Sequence, residues 1–249
     1  MDLGLKDQVV VITGAGRGIG REAALTFAAE GAKVAAWDKD IELAREVEAE
    51  IAKSGGSAIA LGGSVGIRKD VDTAIGKVLQ AWGRIDVLVN NAAFGDDAPL
   101  TEMTDEQWDR VLNVCLTAPF YCARAVAPAM IAQKYGRIIN IASRAHLGEI
   151  NKANYCAAKA GVLGLSRALA VELGVHDITV NTIAPGIVRT ERVLAQPGYE
   201  GLNERAQQRQ LIKRSANPSD IVNGMLFFAS RTSSFITGDL LYVTGGRLT

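Results

Sequence analysis

A doubly wound α/β fold, one parallel sheet covered by helices on both faces, is predicted by three observations. Short β-branched runs alternate with longer helical patterns from one end of the chain to the other. The runs are continuously apolar, as strands buried on both faces are, rather than alternating apolar with polar. The 249 residues, 48% of them hydrophobic, suit one large domain with a substantial core.

Taken in order, the strands are expected at 8–13 (QVVVIT), 33–38 (KVAAWD), 57–61 (SAIAL), 85–90 (IDVLVN), 137–142 (RIINIA), 178–184 (ITVNTIA) and 240–243 (LLYV). Between them, helical patterns cover 18–30, 40–53, 68–82, 105–133, 153–174 and 218–229. Strict alternation of the two calls for right-handed crossovers. No repeat, low-complexity tract or linker divides the chain. The irregular stretch is 186–217, polar and interrupted by QPGYEG, and a segment of that length without strand signal reads as a lid or substrate-binding loop.

Composition narrows the function. The 27 basic and 27 acidic side chains balance, which argues against a nucleic-acid partner. Cys115, Cys122 and Cys156 form no close pair and no metal-ligand spacing, so they read as small buried hydrophobes and no metal is expected. The N-terminal MDLGLKDQVVVITG lacks a secretory layout, and no apolar run reaches the roughly 18 residues that span a bilayer. A cytoplasmic protein without a membrane partner is expected.

The first strand runs into TGAGRGIG, with Gly14, Gly16, Gly18 and Gly20 between strand and helix. Glycines at that junction let a pyrophosphate approach the backbone N–H groups at a helix N-terminus. The second strand ends at Asp38, where a carboxylate accepts hydrogen bonds from an adenosine ribose and repels a 2′-phosphate. NAD is therefore the expected cofactor, although the cations Arg17 and Lys39 partly offset that repulsion. Further on, Tyr155 and Lys159 sit four residues apart in an apolar helix, on one face. A free tyrosine, with a pKa near ~10, is a poor base at neutral pH, and an adjacent ammonium would lower that pKa. The alternative is a helix whose tyrosine and lysine reach the surface without chemistry.

These motifs, in this order, resemble the short-chain dehydrogenase/reductase family, a Rossmann-fold group: TGAGRGIG is similar to its TGxxxGxG, and NNAA (90–93) to its NNAG. Asn113, the serine of NIAS, the Tyr155/Lys159 pair and APGIVRT (184–190) complete the pattern across essentially the whole chain. The resemblance implies one dinucleotide-binding and catalytic domain over 1–249. It implies NAD held by Gly14, Arg17, Gly18, Ile19, Gly20, Asp38, Ser64, Val65, Asn91, Tyr155, Lys159, Val188 and Thr190, with Lys159 on the nicotinamide ribose. Asn113, Ser143, Tyr155 and Lys159 become the catalytic set: Tyr155 as base, Ser143 on the substrate oxygen, Asn113 holding a water in a proton relay. Asn113 equally fits a buried kink or water site without catalysis. The family pattern is departed from at Ser64, which stands where an acidic residue is usual, and at Ala93, which replaces a glycine. Ser143 also lies twelve residues before Tyr155, one fewer than is common.

The expected activity is hydride transfer between NAD and a secondary alcohol or ketone. In 186–217 the cations Arg189, Arg192, Arg205, Arg209, Lys213 and Arg214 outnumber Glu191, Glu200 and Glu204, which suggests an anionic small-molecule substrate such as a carboxylate or a coenzyme A thioester. NIASRAHLG and FITGDLLYVTGGR resemble members that oxidise hydroxyacyl-coenzyme A intermediates. His146 reads as an oriented surface imidazole, with a second acid/base as the alternative. Two other readings stay open: a 3-oxoacyl reductase of fatty-acid type, and a non-catalytic cofactor-binding subunit assembled with an active homologue. The family implies a homotetramer or dimer built on 105–133, 153–174 and the last strand, and a hetero-oligomer with a homologue also fits.

Overall fold

The computed structural model describes residues 2–195 and 198–247; Gln196 and Pro197 of the QPGYEG interruption lie outside the described residues. Seven parallel strands form one sheet: β1 (Val9–Thr13), β2 (Lys33–Asp38), β3 (Ser57–Gly62), β4 (Val87–Asn90), β5 (Gly136–Ile141), β6 (Ile178–Pro185) and β7 (Leu240–Val243), in the order β3-β2-β1-β4-β5-β6-β7. The chain winds outward from β1 in one direction and, from β4, in the other. The crevice beyond the ends of β1 and β4 is the switch point where such sheets bind ligands.

The helices are α1 (Gly18–Ala29), α2 (Ile41–Lys53), α3 (Arg68–Trp82), α4 (Asp105–Leu112), α5 (Ala118–Gln133), α6 (Ala153–Leu173), α7 (Glu191–Leu194), α8 (Tyr199–Arg209) and α9 (Pro218–Ala229). Strand residues alternate between two cores. Val10, Ile12, Val34, Ala36, Val87 and Val89 pack with Phe27, Val47, Ile51, Ile221 and Met225 of α1, α2 and α9. Val9, Val11, Ala35, Trp37 and Leu88 pack with Val71, Val78, Cys122, Val126 and Leu173 of α3, α5 and α6. Burial on both faces is why the strands read as unbroken apolar runs.

Along 105–133 the helix runs unbroken as expected, with a π-helical turn, Asn113–Thr117, inserted between α4 and α5. Pro119 has no N–H to give, and the N–H of Ala118 reaches back to the carbonyl of Asn113, so the turn widens there. The run is also long and apolar enough, by length and composition, to cross a membrane, contrary to the sequence reading. In the fold it is a sheet-packing helix that buries Ala118, Cys122, Val126 and Met130. The 186–217 segment is a helical lid, as expected: it carries α7, α8 and a parallel bridge between Val188 and Ala216.

Beneath the crevice, a buried polar chain fixes strand register and helix position together. Asn90 donates to Asn140 at 2.8 Å, Asn140 to Ser166 of α6 at 2.8 Å, and Thr182 to the same hydroxyl at 2.9 Å. Every member has a partner, so the chain rigidifies the sheet without an unsatisfied group among these bonds.

Candidate active site

A cleft of about 1130 Å³ opens at the strand ends, lined by Gly14, Arg17, Gly18, Ile19, Asp38, Ser64, Val65, Asn91, Ser143, Tyr155, Lys159, Val188 and Thr190, among others. Two of the expected site residues stand behind its wall. Gly20 is one: a Cβ there would lie 2.0 Å from the carbonyl oxygen of Gly14, so only glycine lets α1 pack against the end of β1. Asn113 is the other, at the π turn, where its Nδ2 donates to the carbonyl of Gly66 at 3.2 Å.

The glycine loop is shaped by backbone. Gly14 and Gly18 adopt left-handed φ of 65° and 53°. A Cβ on Gly16 would meet Asp38 Oδ2 at 2.9 Å, which is where the Gly16 N–H donates to that oxygen at 3.0 Å. Asp38 Oδ1 accepts from the N–H of Asp40 at 3.1 Å, so both carboxylate oxygens are held in place on the cleft wall. Arg17 precedes α1 without supplying a capping bond, which leaves the first N–H groups of the helix for an anion. This cradle fits a dinucleotide.

Across the loop, the Thr13 hydroxyl accepts from the N–H groups of Asn91 and Ala92, each at 3.0 Å. The Asn91 amide donates to the carbonyls of Thr13 and Gly14 at 3.0 and 3.2 Å. Asn91 thus holds the loop as well as lining the cleft. Ala93 does not take a left-handed φ, so its methyl is accommodated without strain. Ser64 accepts from the Gly66 N–H at 3.3 Å, and its own N–H donates to Asp70.

Ser143 ends β5's extension and Tyr155 opens α6; the shortened spacing is absorbed by a 3₁₀ turn, Arg144–Leu147, followed by left-handed Gly148 and Asn151. Ser143 therefore keeps its place beside the phenol. Lys159 is buried, and its Nζ donates to the carbonyl of Ile141 at 2.7 Å while lying 5.6 Å from the centroid of the Tyr155 ring. Burial is the largest influence on Tyr155 and pushes its pKa up, against the Ser143 hydroxyl and the charge of Arg192, which pull it down. The Lys159 ammonium is held by the Ile141 carbonyl, and burial pushes the lysine's own pKa down.

At the substrate end, the lid cations divide. Of the six lid cations, only Arg192 lines the cleft. Arg214 pairs with Asp220 at 2.6 Å, and Lys213 donates to the carbonyls of Gln207 and Gln208. Away from the cofactor loop and Lys159, the cleft's other cations come from α4, the loop after Ser143 and the C-terminal region: Arg110, Arg144, Lys152 and Arg247. His146 is half-buried and shares a hydrogen bond of 2.8 Å with the Tyr242 hydroxyl, outside the cleft lining, so it is oriented by β7.

Three contributors were missed in the sequence. Thr13 reads as an ordinary strand residue. Asn154 is fully buried and donates to the carbonyls of Asp96 and Gln107 at 2.9 and 3.2 Å while its Oδ1 accepts from the Tyr155 N–H, which pins the start of α6. An asparagine at a helix start was the available signal. Arg247 follows a glycine pair near the chain end, and nothing in its spacing points to the cleft.

A family model described as enoyl-(acyl carrier protein) reductase matches residues 14–247. The chain is 41% identical to the (2S)-[(R)-hydroxy(phenyl)methyl]succinyl-CoA dehydrogenase subunit BbsD of Thauera aromatica, covering 98% of each sequence. It is likewise 41% identical to a 3-oxoacyl-[acyl-carrier-protein] reductase of Synechocystis, covering 97% of each. A crystal structure of a short-chain type dehydrogenase/reductase from Mycobacterium marinum superposes with a TM-score of 0.93 at 31% identity, over 99% of this chain and 97% of that one.

Proposed function

We infer the reaction from one premise: this chain belongs to the short-chain dehydrogenase/reductase family. It is an oxidoreductase of the alcohol/carbonyl, NAD(P)-linked kind. The finer reading is an NAD-dependent dehydrogenase that oxidises the secondary alcohol of a hydroxyacyl thioester. The observation that carries it is Asp38, whose carboxylate is fixed on the cleft wall by the N–H groups of Gly16 and Asp40 and would oppose a 2′-phosphate.

NAD, when bound, supplies the hydride acceptor. The rest falls to the chain's own groups. Tyr155 takes the hydroxyl proton of the alcohol as its C–H hydrogen leaves as hydride, giving a ketone. Ser143 donates to the substrate oxygen and steadies the charge that develops there. Lys159, anchored on the Ile141 carbonyl, keeps a positive charge near the phenol and is the residue assigned to the nicotinamide ribose. Asn113, at the π turn, is assigned to the water relay. The thioester preference is supported by the cations Arg144, Lys152, Arg192 and Arg247 in the cleft wall and by the likeness to the Thauera subunit.

A second reading, 3-oxoacyl reduction with NADPH, is favoured by the equal likeness to the Synechocystis reductase and by Arg17 and Lys39 at the cofactor end. Steady-state rates with 3-hydroxybutyryl-CoA and NAD or NADP, and with acetoacetyl-CoA and NADH or NADPH, separate the two. The dehydrogenase reading requires a higher kcat/KM with NAD; faster turnover with the phosphorylated cofactor overturns it. For assembly, Trp108, Phe120 and Val171 leave α4, α5 and α6 with apolar surface, in keeping with a homodimer or homotetramer. A monomeric mass by light scattering would refute that.

A further inference from the structure

The helix that carries Tyr155 starts without a side-chain cap: Lys152, at the head of α6, gives no bond to the first turn. The Tyr155 N–H lies in that turn and has no helix carbonyl to bond. Asn154 answers the need from inside the helix, where its Oδ1 accepts from the Tyr155 N–H at 2.7 Å. The same side chain gives its amide hydrogens to two other segments. It donates at 2.9 Å to the carbonyl of Asp96 and at 3.2 Å to the carbonyl of Gln107 on α4. Asn154 is completely buried and stands behind the cleft lining, so it does not face the reacting groups.

An asparagine amide offers an acceptor oxygen and two N–H donors in one plane, and here all three are used. That plane joins three pieces of the site. One is the first turn of α6, with the phenol. Another is the loop 92–98, whose Phe94, Gly95 and Asp97 line the cleft. The third is α4, where the Gln107 side chain also donates to Asp96 Oδ1 at 3.0 Å. The loop is tied at two further points. Cys115 Sγ donates to the Phe94 carbonyl at 3.3 Å, and the Ala98 N–H to the Asn151 carbonyl at 2.9 Å. Those bonds reach the π turn and the segment before α6. Among the described residues, only Asn154 bonds both the loop and the Tyr155 backbone.

We propose that Asn154 is a positioning residue: it sets the distance between the Tyr155 phenol and the loop 92–98, so that helix and loop hold the substrate site as one unit. The assignment rests on the proposed reaction, in which Tyr155 takes the hydroxyl proton, and deepens it. Proton transfer depends on that distance, since a misplacement of about 1 Å costs on the order of a hundredfold in rate.

Asn154→Ala tests this with 3-hydroxybutyryl-CoA and NAD, or with whichever alcohol the wild type oxidises fastest. Turnover per folded molecule should fall about ten- to a hundredfold, with substrate KM and NADH affinity each within about threefold. The cofactor end keeps its own bonds from the N–H groups of Gly16, Asn91 and Ala92. Asn154→Asp keeps the shape and the acceptor but, as a carboxylate, gives no donor. It should show the same split, and it replaces the alanine variant if that one is too unstable to purify. Thr104→Ala is the control. It removes the cap of α4 and lowers the melting temperature but leaves the Asn154 bonds, so its kcat should stay normal. A normal kcat in a folded Asn154 variant, a loss confined to KM or NADH affinity, or an equal fall in Thr104→Ala overturns the proposal. Fluorine NMR of the enzyme–NADH complex, with 3-fluorotyrosine at all five tyrosines, reads the phenol without turnover. The Tyr155 resonance, assigned by its absence from Tyr155→Phe, should shift in the Asn154 variant and hold in Thr104→Ala. An unmoved resonance contradicts the positioning role. A wild type that oxidises no alcohol tried counts against the dehydrogenase reading, and this resonance still decides Asn154.

Discussion

At the cofactor end, the cleft wall is held by backbone: Gly16 N–H on Asp38, Asn91 and Ala92 N–H on Thr13, and Gly20 lying flat against the Gly14 carbonyl. At the substrate end, side chains hold side chains: Arg144 on Glu149, Lys152 on Glu149 and Asp97, His146 on Tyr242. The first construction tolerates almost no change, because moving a backbone group moves a strand. The second can exchange partners without disturbing the sheet, and under the proposed reaction it is the end that would face the substrate.

The largest test of this contrast is Gly20→Ala. A methyl placed 2.0 Å from the Gly14 oxygen forces α1 away from β1, so the substitution should cost more than about 3 kcal/mol and remove cofactor binding. Thermal unfolding and calorimetric titration with NAD measure both, and unchanged values would show the loop is looser than described. Thr13→Val comes next. It keeps the volume but leaves the Ala92 N–H without an acceptor, while the Asn91 N–H keeps the Val89 carbonyl at 3.1 Å, for an expected loss of about 1–3 kcal/mol by urea unfolding.

The smallest effect belongs to the ion pair between Arg214 and Asp220 at the start of α9. Asp220 accepts from Arg214 at 2.6 and 2.8 Å and from the Asn217 N–H at 2.8 Å; the Arg214 bonds hold its carboxyl down at about 2. The folded value is below the unfolded value near ~3.9, so this stability is complete above that pH and fades as pH falls through about 2. Asp220→Asn should lose about 1 kcal/mol at neutral pH, much of it from the helix start. The gap to the wild type should close on acidification. A gap that persists at the lowest pH would place the effect elsewhere.

The same division governs what could be read from the sequence. The strands, the glycine loop and Asp38 announce themselves, because backbone geometry demands particular residues at short spacing, and the observed β2 ends at Asp38 as expected. The lid cations could not be told apart. Charge counting along 186–217 cannot tell Arg192, which reaches the cleft, from Arg214, which turns to Asp220 from the far side. The π turn was only half visible: Pro119 lies inside the predicted helix 105–133, where a proline disturbs the ladder, but only the bond from Ala118 to Asn113 shows that the ladder widens there. Thr13 acts through Asn91 and Ala92, far away in sequence, and local pattern carries no trace of that link.

Turnover by Tyr155→Phe tests the central claim most directly. The substitution keeps the ring that packs beside Val111, Cys115 and Ala158 and deletes only the hydroxyl, so the fold and cofactor affinity should persist. With 3-hydroxybutyryl-CoA and NAD, or whichever alcohol the wild type oxidises fastest, the variant should fall by at least about a thousandfold in kcat, the upper range for losing a positioned acid–base group. Near-normal rates in a variant that binds NAD like the wild type would contradict the account and leave α6 a structural helix.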